Sequence, residues 1–464
     1  MAMSTATTTG LAEPNERKIP RQHMRVAAGA AISEIGFAVT LTGLSFFTPA
    51  VLSEFPGFSS SSFLLYYTIY GIASALSMPL AAQLIEKLKA QGLMVIGGAL
   101  ATAGLTMFAF SSALWSFYLS GLVIGLGVGL SVQYVPIVVV NRWFVEKRGT
   151  VLGAVLAGSG VGGVILGLIV PPLMDSIGWR GAMLALAVIM AIATILPGLF
   201  MIRNNPEDEG LKPFGAPPED KLMTTAKDSF EPGLTQEEAL KTPWFYVLLV
   251  SLVLFGVTYG LTQHVVNYLA NEPWGVPVSG QVASAVVVLA TVLLIPYKPL
   301  LGWLVDKLGL EKTLVLTLVI ASVGIVAFAF ARSPWLFFAS MVLIAFGLAN
   351  GTVTPPLIGE RAFGQRSFSK LWGILGMAYP IGLSAGASLW GLIPDLTGTY
   401  FWGFIAVPVV TAVFLIGFLA VIKQSRKMWV PRALEKLEEE VEEGEMSPGA
   451  AKEAAQKQIA QEDL

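Results

Sequence analysis

Three titratable side chains lie within long apolar stretches of this sequence, and they are the first candidates for chemistry. Lys298 lies in the stretch 279–304, Glu34 in 25–50 and His264 in 244–271. A charge inside a membrane helix is costly, so it normally faces a cavity and has a partner. Lys298 would there offer a fixed positive charge to an anion. The alternative is that its side chain reaches the membrane surface, helped by Pro299 loosening the helix.

Glu34 and His264 are candidates for proton coupling. Glu34 lies about ten residues into its stretch, hence roughly 15 Å deep at 1.5 Å per residue. A carboxyl group buried at that depth suits a proton carrier. Histidine is the side chain used most often to exchange a proton at physiological pH, which makes His264 a candidate. Each has a plainer alternative, since Glu34 could be a hydrogen-bonding residue between helices and His264 could play that role near the interface.

Uncharged polar residues in the same kind of stretch could complete a binding site. Tyr66 and Tyr70 are one helical turn apart and could hydrogen-bond a carboxylate or hydroxyl group. The remaining candidates for substrate binding are Gln133, Asn267, Asn350 and Tyr379. Any one of them could instead form a helix-packing hydrogen bond, so their value as a prediction is collective.

The elements that must position these residues are membrane helices. Apolar residues make up 54% of the 464 residues and charged residues only 13%, whereas soluble domains have roughly 25% charged residues. A bilayer core needs about 20 apolar residues per helix, and backbone groups in lipid must be paired within the segment. We predict twelve spans, numbered 1 to 12 in chain order: 25–50, 63–86, 92–112, 114–140, 149–174, 179–202, 244–271, 279–304, 312–331, 334–356, 370–393 and 400–423.

The chain is internally duplicated. Ser112-Ala113-Leu114-Trp115 returns 220 residues later as Arg332-Ser333-Pro334-Trp335, and Asn141-Arg142-Trp143-Phe144 returns, slipped by one, as Glu360-Arg361-Ala362-Phe363. Two apolar halves of this kind are typical of a transporter whose bundles face each other across a central site. The fold class is therefore an all-α membrane protein with two pseudo-symmetric six-helix bundles.

The positions of basic residues predict the orientation. All Lys and Arg except Arg180, Arg332 and Lys298 fall on one side, which the positive-inside rule makes cytoplasmic. We predict a multi-pass plasma (inner) membrane protein with both termini in the cytoplasm. Its parts are an N-terminal tail 1–24, a first bundle 25–202, a linker 203–243, a second bundle 244–424 and an acidic tail 425–464. The linker composition is typical of a tether, and residues 432–443 could be a short helix or solvated chain.

Composition also excludes several functions. A net charge of −2 indicates no nucleic-acid partner, and the absence of Cys excludes thiol chemistry. Gly382-Leu383-Ser384-Ala385-Gly386 matches a hydrolase elbow but lies in a membrane span without a preceding strand. No metal or cofactor motif stands out, and we predict that the chain is not an enzyme.

Gly302-Trp303-Leu304-Val305-Asp306-Lys307-Leu308-Gly309, between spans 8 and 9, resembles the loop signature of the major facilitator superfamily. An Asp at a helix end beside basic residues can latch the cytoplasmic face in one state and release it in the other. The copy between spans 2 and 3 is weaker, with Glu86 in place of the Asp. We predict gating by Asp306, Lys307, Glu86 and Arg142.

A narrower resemblance covers nearly all of the membrane portion. Arg142 to Gly149, followed by Gly153-Ala154 and Ala157 to Gly162, resembles the motif of the monocarboxylate porters and of the related oxalate/formate antiporters. The resemblance implies transport of small carboxylates by proton symport or anion exchange. Lys298 stands where the monocarboxylate family places an Arg that binds the substrate carboxylate, and Lys offers a point charge in place of a bidentate fork.

The chain departs from the family pattern at three places. Leu294 stands where animal monocarboxylate transporters have an Asp, and the segment 36–47 contains no charge where they have a Lys. Tyr379 stands where oxalate exchangers have a second Lys. A single buried cation favours a monoanion over a dianion.

The sequence therefore predicts a monomeric transporter of a small monocarboxylate such as lactate, pyruvate, acetate or formate, with proton symport. Carboxylate exchange and efflux of apolar drugs are alternatives within transport. A membrane sensor that binds a ligand and signals through its acidic tail is the alternative outside it.

Overall fold

The structure is a computed structural model that describes residues 19–216, 233–265, 268–269 and 278–442. Nine helical segments in these ranges are long and apolar enough to cross a membrane. The helices of the first half are Arg21–Leu41, Thr48–Glu54, Ser60–Ala109, Leu114–Leu130, Val135–Trp143 and Arg148–Phe200. Those of the second half are Pro243–Gly260, Gly280–Leu308, Leu310–Phe330, Pro334–Phe363, Phe368–Leu375, Ala378–Thr397 and Phe401–Glu442.

Two of these helices each contain two of the predicted spans. Ser60–Ala109 is kinked at Lys89, with φ 58°, and Arg148–Phe200 is kinked at Gly178, with φ 71°. Glycine adopts this left-handed conformation without a steric penalty, whereas Lys89 is strained in it. The pair Phe368–Leu375 and Ala378–Thr397 forms span 11. The described helices thus account for the twelve spans of an all-α membrane fold.

Two spans are interrupted near residues that the sequence picked out, and a third, span 1, changes its helix type. Span 4 breaks between Leu130 and Val135, next to Gln133, and span 11 breaks between Leu375 and Ala378, next to Tyr379. Span 1 passes into a 3₁₀ helix at Gly43–Phe47. Irregular backbone at membrane depth is tolerated where it is buried in protein or lines a cavity.

The two halves meet along spans 5 and 8 and along spans 2 and 11. A Cβ atom added to Gly302 would lie 1.9 Å from the carbonyl oxygen of Gly149, and one added to Gly153 would lie 2.2 Å from that of Lys298. Only glycine permits this approach. Spans 5 and 8 therefore touch backbone to backbone over this stretch.

Both described ends of the linker are docked on the body of the protein. Phe214 donates its backbone N–H to the Trp143 carbonyl and accepts from the N–H groups of Val145 and Glu146. At the other end, the Leu234 N–H donates to the Phe363 carbonyl, and Leu234 is buried. The last helix runs to Glu442, so residues 432–442 are helical.

Candidate functional site

Lys298 is buried between the two halves, with 3% of its surface exposed. Its ammonium donates to the Leu156 carbonyl oxygen at 3.0 Å and to Ser159 Oγ at 2.8 Å. Both acceptors belong to span 5 of the first half. The side chain therefore points into the interface between the halves and does not reach the membrane surface.

Glu34, on span 1, also lies against span 5, with 2% of its surface exposed. A Cβ atom added to Gly158 would lie 3.0 Å from Glu34 Cβ and 2.2 Å from the Ala31 carbonyl, so span 1 packs directly on span 5 here. Glu34 interacts electrostatically with Lys298. The structure thus brings together the two charged residues that sequence reasoning selected independently.

His264 lies in the 3₁₀ turn Leu261–His264, which follows the helix Pro243–Gly260 within span 7. Its ring is 5.2 Å from that of Tyr400, in the loop between spans 11 and 12, and a Cβ atom added to Gly391 would be 3.4 Å from its Cε1 atom. Its described neighbours are therefore the end of span 11 and the start of span 12, opposite the end of span 11 that carries Ser369. Asn267 lies outside the described residues.

The two tyrosines of span 2 make contacts within the first half. Tyr70 donates from its hydroxyl to Thr40 Oγ1 of span 1 at 3.0 Å. The Tyr66 ring packs against those of Phe63 and Phe108, with centroid distances of 5.0 Å in both cases. These are the packing contacts that compete with a role in substrate binding.

Gln133, Asn350 and Tyr379 also have partners in the protein. Gln133 Oε1 accepts from Ser74 Oγ at 2.7 Å, which joins spans 4 and 2. Asn350 Nδ2 donates to Thr317 Oγ1 at 2.9 Å, which joins spans 10 and 9. The Tyr379 ring packs on Phe255, and a Cβ atom added to Gly351 would lie 2.3 Å from its hydroxyl. Asn350 thus faces span 9 of its own half.

The predicted gating residue Asp306 bonds across the two halves. Its Oδ1 accepts from the Gly149 N–H at 2.9 Å, and its Oδ2 accepts from the Thr150 N–H at 2.7 Å and from Thr150 Oγ1 at 2.6 Å. The N–H groups at the start of a helix have no partner within it, and a carboxylate is stabilised at that end. Asp306 of span 8 therefore caps the helix that begins at Arg148.

Arg142 also reaches across. Its Nη2 atom donates to Ser369 Oγ at 3.1 Å and lies 3.6 Å from Glu86 of its own half. Among the described contacts, Lys307 makes no bond to the other half. Its ammonium lies 4.7 Å from the centre of the Trp303 ring on its own helix. Arg142 and Asp306 thus bond across the halves, Glu86 lies beside Arg142 in its own half, and Lys307 lies beside the contact.

Sequence reasoning missed several residues of this contact. Arg148 pairs with Glu360 across the halves, and Tyr134 Oη donates to the Ser369 carbonyl at 2.7 Å. Glu360 is the first residue of the segment that repeats the Asn141 motif in the second half. That repeat is the sequence feature that could have identified Glu360 as a candidate. Together these bonds close the side of the protein that the basic loops predict to be cytoplasmic. Within the described residues no cluster of His, Asp and Glu could hold a metal ion.

The sequence model of the Major Facilitator Superfamily matches residues 29–358 and 274–460. The chain is 26% identical over 389 residues to human Monocarboxylate transporter 12, with 78% of this chain and 73% of that protein covered. It is 27% identical over 331 residues to the Oxalate:formate antiporter of Oxalobacter formigenes, with 70% and 72% covered.

Solved structures share the fold at low sequence identity. The fucose:proton symporter of E. coli superposes with a TM-score of 0.64 at 14% identity, over 86% of this chain and 98% of that one. A proton:xylose symporter of the same superfamily gives a TM-score of 0.65 at 12% identity, over 88% and 99%.

Proposed function

Because this chain belongs to the Major Facilitator Superfamily and is related to monocarboxylate transporters and an oxalate:formate antiporter, we propose that it carries a small monocarboxylate across the plasma membrane by alternating access. The cargo belongs to the class of lactate, pyruvate, acetate and formate, and the transport is proton symport. The working unit is a monomer with both termini in the cytoplasm. The observation that carries this proposal is that buried Lys298 and buried Glu34 pack on adjacent residues of span 5, Ser159 and Gly158.

The charges of these two residues supply a coupling mechanism. In the empty site the Glu34 carboxylate offsets the Lys298 ammonium. When Glu34 takes up a proton, the ammonium loses that compensation and attracts an anion, and when Glu34 is ionised it competes with the anion. Proton and carboxylate binding therefore favour each other, and by linkage each raises the affinity for the other by the same factor.

Charge balance favours movement of both the empty and the loaded protein. The empty site holds one positive and one negative charge, and the loaded site holds a neutral Glu34, a positive Lys298 and a negative substrate. The site is thus neutral in both states, so neither form moves an unbalanced charge through a low-dielectric region. Symport with one proton per monocarboxylate is the simplest scheme with this property.

The test is uptake of labelled L-lactate into proteoliposomes with and without an inward proton gradient. Accumulation above equilibrium only with the gradient supports the proposal, and Lys298→Ala should abolish it. A Lys312→Ala protein is the control, since Lys312 lies at the start of span 9 and has no part in the proposed site. Unchanged lactate affinity and rate in Lys298→Ala would exclude Lys298 as the binding group.

Exchange is the second candidate, and the relation to an oxalate:formate antiporter favours it. Lactate uptake that requires an internal carboxylate and ignores the proton gradient would identify exchange. Thermal stabilisation by hydrophobic cations but not by carboxylates would indicate drug efflux. A sensor would lose its output when residues 432–464 are removed, whereas flux through a transporter should survive that truncation.

A further inference from the structure

Lys298, Gly302 and Asp306 follow one another every four residues along span 8, so they lie on one face of the helix. This face runs along the start of span 5. Asp306 bonds to Gly149 and Thr150, Gly302 touches Gly149, and Lys298 bonds to Leu156 and Ser159. Lys298 is thus the deepest member of the closed contact, about 12 Å inward of Asp306 at 1.5 Å per residue.

A buried ammonium group needs hydrogen-bond acceptors whenever no substrate is present. It has three N–H donors and no acceptor, and the described bonds to span 5 use two of them. Ser159 is itself buried, and its hydroxyl donates to the Leu156 carbonyl at 2.8 Å. That bond fixes the hydroxyl so that its lone pairs face Lys298.

These two acceptors belong to the opposite half from Lys298. Spans 5 and 8 touch backbone to backbone at Gly149 and Gly302 and again at Gly153 and Lys298. A rotation of one half against the other that separates these contacts therefore also shifts Lys298 relative to its acceptors on span 5, and we expect opening of the predicted cytoplasmic side to break the bond between Lys298 and Ser159. In the open protein the ammonium must find another acceptor.

We propose that Ser159 is a positioning residue, which with the Leu156 carbonyl holds the Lys298 ammonium across the halves and thereby keeps the ligand-free protein closed on its predicted cytoplasmic side. The proposal deepens the proposed function and rests on it for the alternating-access cycle. Ser159 was not among the candidate site residues. Span 5 thus carries both Gly149 and Thr150, which bond to Asp306, and Ser159, which bonds to Lys298 when no substrate is present.

The experiment uses the absence of cysteine from this chain. A single Ser369→Cys substitution places a thiol at the contact where Arg142 and Tyr134 bond across the halves, and its rate of maleimide labelling in purified full-length protein reports opening. All variants are compared in that background and without substrate, so the result does not depend on which carboxylate is carried or on whether lactate is carried at all.

Ser159→Ala should label about tenfold faster or more, the factor expected for loss of one hydrogen bond to a charged group. Ser159→Thr keeps the hydroxyl and should label at the parent rate. Ser33→Ala is the matched control, because Ser33 is a buried serine that also donates to the carbonyl three residues earlier but bonds within the first half alone.

A double-mutant cycle separates positioning from packing. In a Lys298→Ala background, Ser159→Ala should change the labelling rate no further. An equal acceleration with and without Lys298 would show that Ser159 acts through packing and would overturn the proposal, as would a parent-like rate in Ser159→Ala. If Ser159→Ala is not monodisperse in detergent, Ser159→Gly supplies a second variant without the hydroxyl, with the same expected and contrary outcomes.

Discussion

Asp306 and Thr150 belong to opposite halves of the protein, and one carboxylate oxygen of Asp306 accepts both the backbone N–H and the hydroxyl of Thr150, at 2.7 and 2.6 Å. The second oxygen accepts from Gly149 at 2.9 Å. A helix start is thus capped from the other half. Any motion that separates the halves on this side would leave these helix N–H groups without their partner, so we expect the loop signature seen in the sequence to act as a removable cap.

Loss of this cap should favour opening. Asp306→Ala removes both carboxylate oxygens that accept these bonds. We expect the closed state to lose about 1–3 kcal/mol of stability relative to the open state, from typical cap and charged hydrogen-bond energies. Asp306→Asn keeps one acceptor oxygen and should lie between the two. The labelling rate of a Ser369→Cys thiol measures the change.

Asp208→Asn is the control for this effect. Asp208 pairs with Lys89 at 3.6 Å, but both side chains are exposed, so the pair contributes little. Its labelling rate should match that of the parent. A parent-like rate in Asp306→Ala would mean that the cap does not hold this side closed.

The identity of the proton carrier is a separate prediction. Glu34→Gln cannot take up a proton and leaves the Lys298 charge permanently uncompensated, so uptake of labelled lactate should no longer follow the proton gradient. Exchange of internal for external lactate should persist, because it needs only the anion site. Proteoliposomes loaded with or without unlabelled lactate measure both activities.

His264→Gln distinguishes Glu34 from the other candidate. His264 contacts Tyr400 at the outer end of the second half, so its loss should leave gradient-driven uptake intact. Gradient-driven accumulation that survives in Glu34→Gln and disappears in His264→Gln would reverse the assignment.

The pairing of Arg148 with Glu360 allows a stability prediction. Arg148 is buried, its Nη1 atom pairs with Glu360, and its Nη2 atom has no hydrogen-bond partner among the described residues. Glu360→Gln would remove the carboxylate that pairs with Arg148. We expect the protein to lose about 1–3 kcal/mol of stability, the range for a hydrogen bond to a charged group, because Glu360 is partly exposed and Asp306 also interacts with the guanidinium. Thermal unfolding in detergent measures the loss. Glu237→Gln removes an exposed pair with Lys241 and should shift unfolding very little.

The sequence could predict the spans and the duplication, and it could select Asp306 and Lys298 as candidates, because each rests on a local pattern or on a charge placed in an apolar stretch. It could not tell which face of a span meets which neighbour. Span 5 shows this, since Ser159 looks like any small residue in a glycine-rich helix until Lys298 is seen beside it. Asn350 shows the converse, since its side chain bonds to Thr317 of span 9 within its own half.

The linker shows a second limit. Its composition predicts a tether, and composition says nothing about docking. The structure places Phe214 against the end of span 4 and Leu234 against the end of span 10, which are equivalent positions in the two halves. The duplication that was visible in the spans thus also provides two related docking points for the segment that connects them.

Asn204, at the start of that linker, should be a structural cap. The left-handed turn at Lys89 leaves the N–H of Ala90 at a new helix start without a helical partner, and Asn204 Oδ1 accepts from it at 3.0 Å and from Arg142 Nη1 at 2.8 Å. Asn204→Ala should therefore cost about 1–2 kcal/mol of stability, the usual effect of losing a cap. Asn204→Asp keeps the acceptor and adds a charge that suits both the helix start and Arg142, so it should retain stability.

Thermal unfolding of these two variants tests the prediction. The control is Asn205→Ala, which loses only a longer bond to Arg142 at 3.2 Å. Equal unfolding temperatures for Asn204→Ala and Asn205→Ala would show that the Ala90 N–H does not depend on Asn204.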